Sequence, residues 1–423
     1  MHIYFSGIGG VAIGPLAMIA LDAGYEASGS DLQQSEMVSF LRDRGARVYI
    51  GQNGTEIADE HVNKPIDWFV YSSALPVDHP ELKFAKEHGI KISKRDEFLN
   101  LILKEKQLRL IAVSGTHGKT TTTGMLVWLF KELGLPVSYS VGTSLTFGPP
   151  AQYQKDSEFF VYECDEFDRN FLNFSPSLSL IPSLDYDHPD TYPTKADYNY
   201  AFTEFINQSS SSFLWQETAD ELQFSDTTSL TILSPTDPGI DSITLPGQHT
   251  RQNAWLALAA LAQVLHKQPA ELVHIINRFP GTNRRFEKLA ENLYTDYAHH
   301  PVEIAATIAM ARELNKNVVV IYQPHQNIRQ HEILEQDGYQ HCFDTAQKVY
   351  WLPTYLSREY QDSPILSPTE LMATTSGNII TEPAELDDEL WEQITRHQKN
   401  GDLVLAMSAG DLDHWLREQV SNN

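Results

Sequence analysis

The chain reads as an α/β protein made of three successive units in which short strands alternate with helices. Three observations carry that reading. Residues 1 to about 105 alternate β-branched or aromatic runs with helical patterns. A second unit opens at LRLIAVSGTHGKTTTTG, residues 108–124, and runs to about residue 278. A third begins near residue 279, where NVVVIYQPH, KVYWLP, NIITE and DLVLAMSAGD read as strands. Such alternation implies parallel sheets with helices on their faces, because each parallel pair needs a crossover that a helix supplies.

In the first unit, HIYFSG, YEASGSD, RVYIG, DWFVYSSA and IKIS are the expected strands. Helices are expected over Val11–Ala23, near Glu36–Arg44 and near Glu81–His88, with a linking helix near Arg95–Lys106. The first turn is G-x-G-x-x-A, with Gly7, Gly9 and Ala12, and Asp31 follows the second strand. That is a dinucleotide fingerprint, in which glycines admit a diphosphate to a helix N-terminus. It serves NAD and nucleotide sugars alike, and close helix packing alone also uses it. Ser72 and Ser73 end the fourth strand at the carboxyl edge, where open α/β sheets bind ligands, although serines there also serve as plain turn formers.

The second unit starts with a phosphate-binding loop. An apolar strand (Leu110, Ile111, Val113) stops at Gly115, turns through Thr116, His117 and Gly118, and resumes as a helix after Lys119. The glycines let backbone N–H groups approach phosphate oxygens, and the helix directs its positive end at them. Lys119 supplies a mobile cation, and Thr120 or Thr121 a hydroxyl for Mg²⁺. The spacing is G-x-x-G-K-T, since Val113 stands where the longer motif has its first glycine. Next, EFFVYE ends in Glu163 and leads into CDEFD, which sets carboxylates beside the loop, where an acid holds Mg²⁺. A solvated acidic loop is the alternative. SLSLIPSL then leads into DYDHPDTYP, where Asp185, Asp187 and Asp190 surround His188, a metal ligand or phosphate contact. Asn207–Leu245 reads as strands with loops. A helix is expected near Thr250, with His249 and Asn253 on its first turn to meet a purine or cap the helix. In the third unit, GTNRRF places Arg284 and Arg285 in a loop suited to phosphate.

Composition limits the function. Among 423 residues, 31 are basic and 56 acidic, a formal charge of −25. This argues against general affinity for nucleic acid or anionic membranes, so a polyphosphate site must concentrate its cations locally. Cys164 and Cys342 give no disulfide framework and suit a reducing compartment, or serve as buried apolar filler. The N-terminal apolar run has no basic region before it, and no stretch reaches the about 20 apolar residues that span a bilayer. A soluble cytoplasmic protein is expected.

The order of motifs is more specific than any one of them. GIGG, GSD, SSA, GTHGKTTTT, ECDEFD, DHPDTY, GQHTRQN, GTNRRF, TDYAHHP, YQPH and GDLVLAMSAGD, collinear over nearly the whole chain, resemble the Mur ligase family. DHPDTY and YQPH lean toward its L-alanine-adding branch, not the branch that recycles a tripeptide. The resemblance implies a Rossmann-like UDP-sugar domain (1–105), a central P-loop ATPase-like domain (106–278) and a Rossmann-like amino-acid-binding domain (279–423). It implies peptidoglycan precursor synthesis from UDP-N-acetylmuramate, ATP and L-alanine, with Mg²⁺, two ions in all. The muramoyl carboxylate takes the γ-phosphoryl group of ATP, and the amine then displaces phosphate.

The same resemblance implies roles for residues. Gly7, Gly9, Gly10, Asp31, Ser72 and Ser73 fall to the UDP-sugar. Gly115, Thr116, His117, Gly118, Lys119, Thr120, Thr121, Asn253, Arg285 and Asp296 fall to ATP. Thr120, Glu163 and His188 fall to metal, and Lys119, Glu163 and His188 to catalysis. Tyr297, His299, His325 and Arg329 fall to the acceptor and amino acid. The chain also departs from the family. Thr250 and Thr295 stand where Asn and Asp are usual, and Gln326 where an Arg commonly follows the QPH motif. No lysine lies between Lys195 and Lys267 to serve as the carbamoylated lysine of some relatives, and the segment from His188 to His249 is short. A sibling ligase using another amino acid or a peptide, and an inactive nucleotide-binding regulator, are the alternatives. A dehydrogenase reading of Gly7–Ala12 leaves the phosphate loop unexplained.

Overall fold

The apolar runs do become strands, sorted into three sheets. A computed structural model describes every residue except 73–74, 226–227, 337, 358–363, 378 and 423. The first sheet holds β1 (His2–Ser6), β2 (Glu26–Asp31), β3 (Arg47–Ile50), β4 (Trp68–Tyr71) and β5 (Lys91–Lys94), in the order β3-β2-β1-β4-β5. All its pairings are parallel. Central β1 is buried along its whole length, as a strand covered on both faces must be. Strand order reverses between β1 and β4, so the glycine turn after β1 opens at the crevice where such sheets bind ligands.

The second sheet holds β6 (Arg109–Val113), β7 (Val137–Ser140), β8 (Ala151–Gln152), β9 (Phe159–Glu163), β10 (Leu178–Ile181), β11 (Ser212–Trp215) and β12 (Leu230–Leu233), in the order β12-β11-β10-β6-β9-β7-β8. Among the described residues of this sheet, only the β7–β8 strand pair is antiparallel. β6 lies between β10 and β9, with Val113 opposite both Leu180 and Glu163. That register brings the phosphate loop, Glu163 and the segment after β10 to one edge of the sheet.

The third sheet holds β13 (Glu287–Ala290), β14 (Leu293–Asp296), β15 (Val318–Gln323), β16 (Lys348–Trp351), β17 (Ile380–Pro383) and β18 (Leu403–Ser408), in the order β13-β14-β18-β15-β16-β17. Along β15, Val318, Val320 and Tyr322 join one core, and Val319 and Ile321 join another. This is the period-two alternation of a strand buried on both faces.

The described chain forms two compact units, Met1–Ser242 with Asn253–Phe279, and Ile243–Gln252 with Pro280–Asn423. Within the first, one apolar core runs from Ile3, Phe5, Trp68 and Phe98 to Leu110, Phe160 and Phe171, so two sheets share an interior. Among the described residues, no helix is long and apolar enough to cross a membrane.

The structure corrects four local expectations. The first helix starts at Gly14, because Gly7 to Ile13 are used in the turn and Pro15 suits a helix's first positions. Residues 207–245 include the helix Gln216–Leu222, which buries only Thr218 and Ala219 and so shows no apolar periodicity. The helix expected near Thr250 starts at Gln248, which moves Asn253 to its second turn. β13 is an antiparallel edge strand, too polar in sequence to stand out.

Gly29 on β2 pairs with Phe5, and a methyl group there would lie 2.2 Å from the Phe5 carbonyl oxygen. Backbone in a central strand cannot swing aside as a side-chain end can. Gly29→Ala is therefore expected to lower the free energy of unfolding by about 1–3 kcal/mol in urea titrations; an unchanged midpoint would contradict this packing.

Candidate functional site

Two glycines set the shape of the phosphate loop. Gly115 has φ +146° and sits so close to the Ser183 carbonyl that a methyl group would come within 2.6 Å of it. Gly118 has φ +81° at the N-cap of the helix Lys119–Glu132, and a methyl group there would lie 2.8 Å from the Asn253 amide nitrogen. Only glycine adopts these conformations at no cost. The loop is also tied to the chain after β10. Thr116 Oγ1 donates to the Asp185 carbonyl at 2.6 Å and meets the Tyr198 hydroxyl at 2.8 Å, and His117 N donates to Ser183 Oγ at 2.8 Å.

Lys119 is fully committed. Its Nζ donates to the carbonyls of Gly115 (2.6 Å) and Thr116 (3.2 Å) and to Glu166 Oε1 (2.8 Å). Glu166 is buried, and its carbonyl accepts from the Tyr192 hydroxyl at 2.5 Å. Burial works against the Lys119 ammonium, yet Glu166, Asp165 and Glu163 outweigh it and hold the lysine pKa above its ordinary value. Burial likewise raises the Glu166 pKa, against the pull of Lys119. The lysine holds its proton because carboxylates surround it, and Glu166 is raised because burial disfavours its charged form. His188, at φ +57°, places Nε2 3.8 Å from the same Glu166 oxygen and 3.6 Å from Asp187 Oδ2.

Thr120 and Glu163 form a second pair, in which Thr120 Oγ1 donates to Glu163 Oε1 at 2.7 Å and Gly142 N donates to Oε2 at 2.6 Å. Among the described residues, no three His, Cys, Asp or Glu side chains converge to hold a metal ion. One hydroxyl and one carboxylate still fit Mg²⁺, which takes few protein ligands and completes its shell with phosphates and water. Asn253 is buried against Gly118, and Thr121 is half-buried. The segment CDEFD holds the lysine's partner Glu166, which nothing local distinguishes from Asp165.

In the first sheet Gly7, Gly9, Gly10 and Asp31 meet, held by bonds within the turn and to β2. Asp31 Oδ2 accepts from Gly9 N at 2.8 Å, Gly10 N donates to the Gly7 carbonyl at 3.0 Å, and Gly7 N to the Ser30 carbonyl at 2.8 Å. Asp31 thus braces the glycine turn. Ser72 is half-buried, and Ser73 lies outside the described residues. Close by is a network that sequence reading missed. Glu81, buried, accepts from the Tyr4 hydroxyl at 2.9 Å and Ser6 Oγ at 2.6 Å, while Gln52 Nε2 donates to Ser6 and Ser30 at 3.2 Å. Burial raises the Glu81 pKa. A glutamate in a helix's first turn reads as a partner of the helix dipole, which hides this role.

In the second compact unit, Asp296 ends β14 and accepts from Phe286 N and Ala298 N, each at 2.7 Å. Burial raises its pKa against the charge of Arg285. The guanidinium groups of Arg284 and Arg285 lie 4.9 and 4.8 Å from the Tyr297 ring centre. From Tyr297 a row of rings continues to His299 (5.5 Å), His325 (5.9 Å) and Tyr355 (5.9 Å, 9° between planes). Tyr355, unexpected from sequence, comes in through a bridge to His325. Arg329 pairs with Glu332 at 2.8 Å. The unusual residues have partners too. Thr295 Oγ1 donates to Asp413 Oδ1 at 2.9 Å, where an aspartate would oppose like charge. Gln326, at φ +59°, reaches Ser357 Oγ at 3.4 Å, and Thr250 Oγ1 reaches Met310 Sδ at 3.6 Å.

Comparison with known proteins follows the same lines. Residues 2–107 match the model described as Mur ligase family, catalytic domain, and residues 113–223 the Mur ligase middle domain. The UDP-N-acetylmuramate–L-alanine ligase of Clostridium perfringens is 30% identical over 446 residues, covering 97% of this chain and 95% of its own. That of Chlorobium phaeovibrioides is 31% identical over 464 residues, covering 99% and 96%. The fold is similar to the crystal structure of UDP-N-acetylmuramate-alanine ligase from Thermotoga maritima, with a TM-score of 0.76 and 22% identity, covering 100% of this chain and 99% of that one.

The tight fit at Gly118 yields a test. Gly118→Ala strains a left-handed residue and pushes Asn253 off the loop, and is expected to weaken binding of a fluorescent nucleoside triphosphate about tenfold or more; equal affinity would contradict the geometry.

Proposed function

Since the chain belongs to the Mur ligase family, we propose that it is an ATP-dependent ligase that joins L-alanine to the carboxylate of UDP-N-acetylmuramate through an acyl phosphate, in peptidoglycan precursor synthesis. The observation that carries this reading is the phosphate loop itself, with charged Lys119 beside the Thr120–Glu163 pair at the carboxyl edge of the second sheet. The names of the relatives support the substrates.

The chemistry follows from the weakness of a carboxylate as an acyl donor, since its leaving group would be oxide. In the proposed reaction a muramoyl carboxylate oxygen attacks the γ-phosphorus and ADP departs. The alanine nitrogen, unprotonated, then attacks the acyl carbon, and phosphate leaves carrying the former carboxylate oxygen while the nitrogen gives up its extra proton. Lys119 offsets charge on the β- and γ-phosphates and orients them, and the Gly115 and Gly118 turns bring backbone to the same oxygens. Thr120, Glu163 and His188 would hold Mg²⁺, two ions by resemblance, which supplies further neutralisation when bound.

The remaining roles are proposed on the same basis. Residues 1–105 take the UDP-sugar, 106–278 ATP and 279–423 the amino acid. In the first, Gly7, Gly9, Gly10, Asp31, Ser72 and Ser73 serve the UDP-sugar. Asn253, Arg285 and Asp296 serve ATP, and Tyr297, His299, His325 and Arg329 the acceptor and amino acid. We assign the activity to the cytoplasm, in keeping with the buried free thiols Cys164 and Cys342. One observation favours a second reading, a sibling ligase with another amino acid. Gln326, where a family arginine is usual, is engaged with Ser357.

Phosphate release from Mg-ATP with UDP-N-acetylmuramate and a panel of amino acids separates the two. L-alanine is expected to stimulate most; a faster rate with glycine, serine or a peptide supports the sibling, and stimulation by none sinks both. Lys119→Met is expected to lower kcat/KM by about a hundredfold or more.

A further inference from the structure

The mechanism leaves the buried carboxylate beside Lys119 unused. Glu166 comes from the loop after β9 and is fully buried, and among the described residues no donor meets its Oε2. Burying a carboxylate is costly, so packing alone does not account for it. Its other oxygen faces two functional residues at once, Lys119 Nζ at 2.8 Å and His188 Nε2 at 3.8 Å.

The lysine's bonds set a further condition. An ammonium has three N–H donors, and all three of Lys119 are spent, on Gly115, Thr116 and Glu166. Contact with a phosphate therefore requires an exchange. The two carbonyls belong to the loop that presents Lys119 and remain beside it. Glu166 is the anionic acceptor and belongs to another segment, so an incoming phosphate oxygen replaces like with like.

We propose that Glu166 is a positioning residue that holds Lys119 in the phosphate loop until ATP binds and then releases it to the γ-phosphate, keeping His188 as the carboxylate's remaining neighbour. The proposal rests on the ATP-dependent ligase reading above. Until the exchange, the lysine's charge is answered by Glu166, and an anion arriving without its own cation meets a carboxylate and an occupied ammonium. Glu166 thereby disfavours metal-free nucleotide and fixes the ammonium from which phosphoryl transfer starts.

The test uses the full chain and its variants Glu166→Gln and Glu166→Asp. Affinity for a fluorescent ATP analogue is measured in EDTA and in Mg²⁺, with kcat and KM for ATP alongside. Removing the charge while keeping the shape leaves Lys119 without its anion. Glu166→Gln is therefore expected to bind metal-free analogue about tenfold more tightly while kcat falls about tenfold and KM does not rise. Glu166→Asp keeps the charge on a shorter arm; it is expected to lower kcat without the gain in metal-free affinity, and it decides the matter if Glu166→Gln does not fold. Lower thermal stability with both affinity and kcat within twofold of the parent would mark a purely structural carboxylate and overturn the proposal. If the parent chain binds no ATP analogue, the ligase reading fails and this inference with it; if it binds and the variants match it, this inference alone fails.

Discussion

A half-buried ammonium just past the end of the central strand of the second sheet is the feature on which the rest of the first unit depends. With a formal charge of −25, the protein has no general attraction for polyphosphate and must supply cations at one point. Lys119 can stay charged there only because Glu166, and behind it Asp165 and Glu163, offset its desolvation. The register that sets Val113 beside both Leu180 and Glu163 gathers these groups at one edge. Every residue of the phosphate loop then takes its position from that edge.

Much of this was legible in the sequence, for a physical reason. The strand, the two glycines, the lysine and the helix follow one another in the chain, so backbone preference and spacing encode them directly. Glu163 was legible because it ends a strand of evident apolar character. Glu166 was not, since its significance lies in an ion pair with a residue 47 positions away. Glu81 was hidden in the same manner, as a polar network between a helix and the first sheet leaves no periodic mark. Tyr355 reaches His325 through a backbone bridge between two loops, which no local pattern announces.

The departures from the family pattern are also intelligible as local chemistry. Thr295 donates to Asp413, which in turn pairs with Arg417, so a neutral donor at 295 leaves that ion pair undisturbed. Gln326 occupies a left-handed backbone conformation uncommon for its type, of the sort that persists when surroundings impose it and that gathers at functional positions. Asp31 gives the contrasting case. Expected to meet a ligand, it holds the Gly9 amide and braces the glycine turn.

Phosphoryl transfer to a carboxylate, as proposed for this loop, leaves an oxygen signature that isotope tracing reads. UDP-N-acetylmuramate carrying ¹⁸O in its muramoyl carboxylate would be turned over with Mg-ATP and L-alanine, and the released phosphate examined by mass spectrometry. One ¹⁸O atom is expected in the phosphate for each amide bond formed from fully labelled carboxylate. Phosphate released without label, alongside a labelled carboxylate left intact, would contradict it.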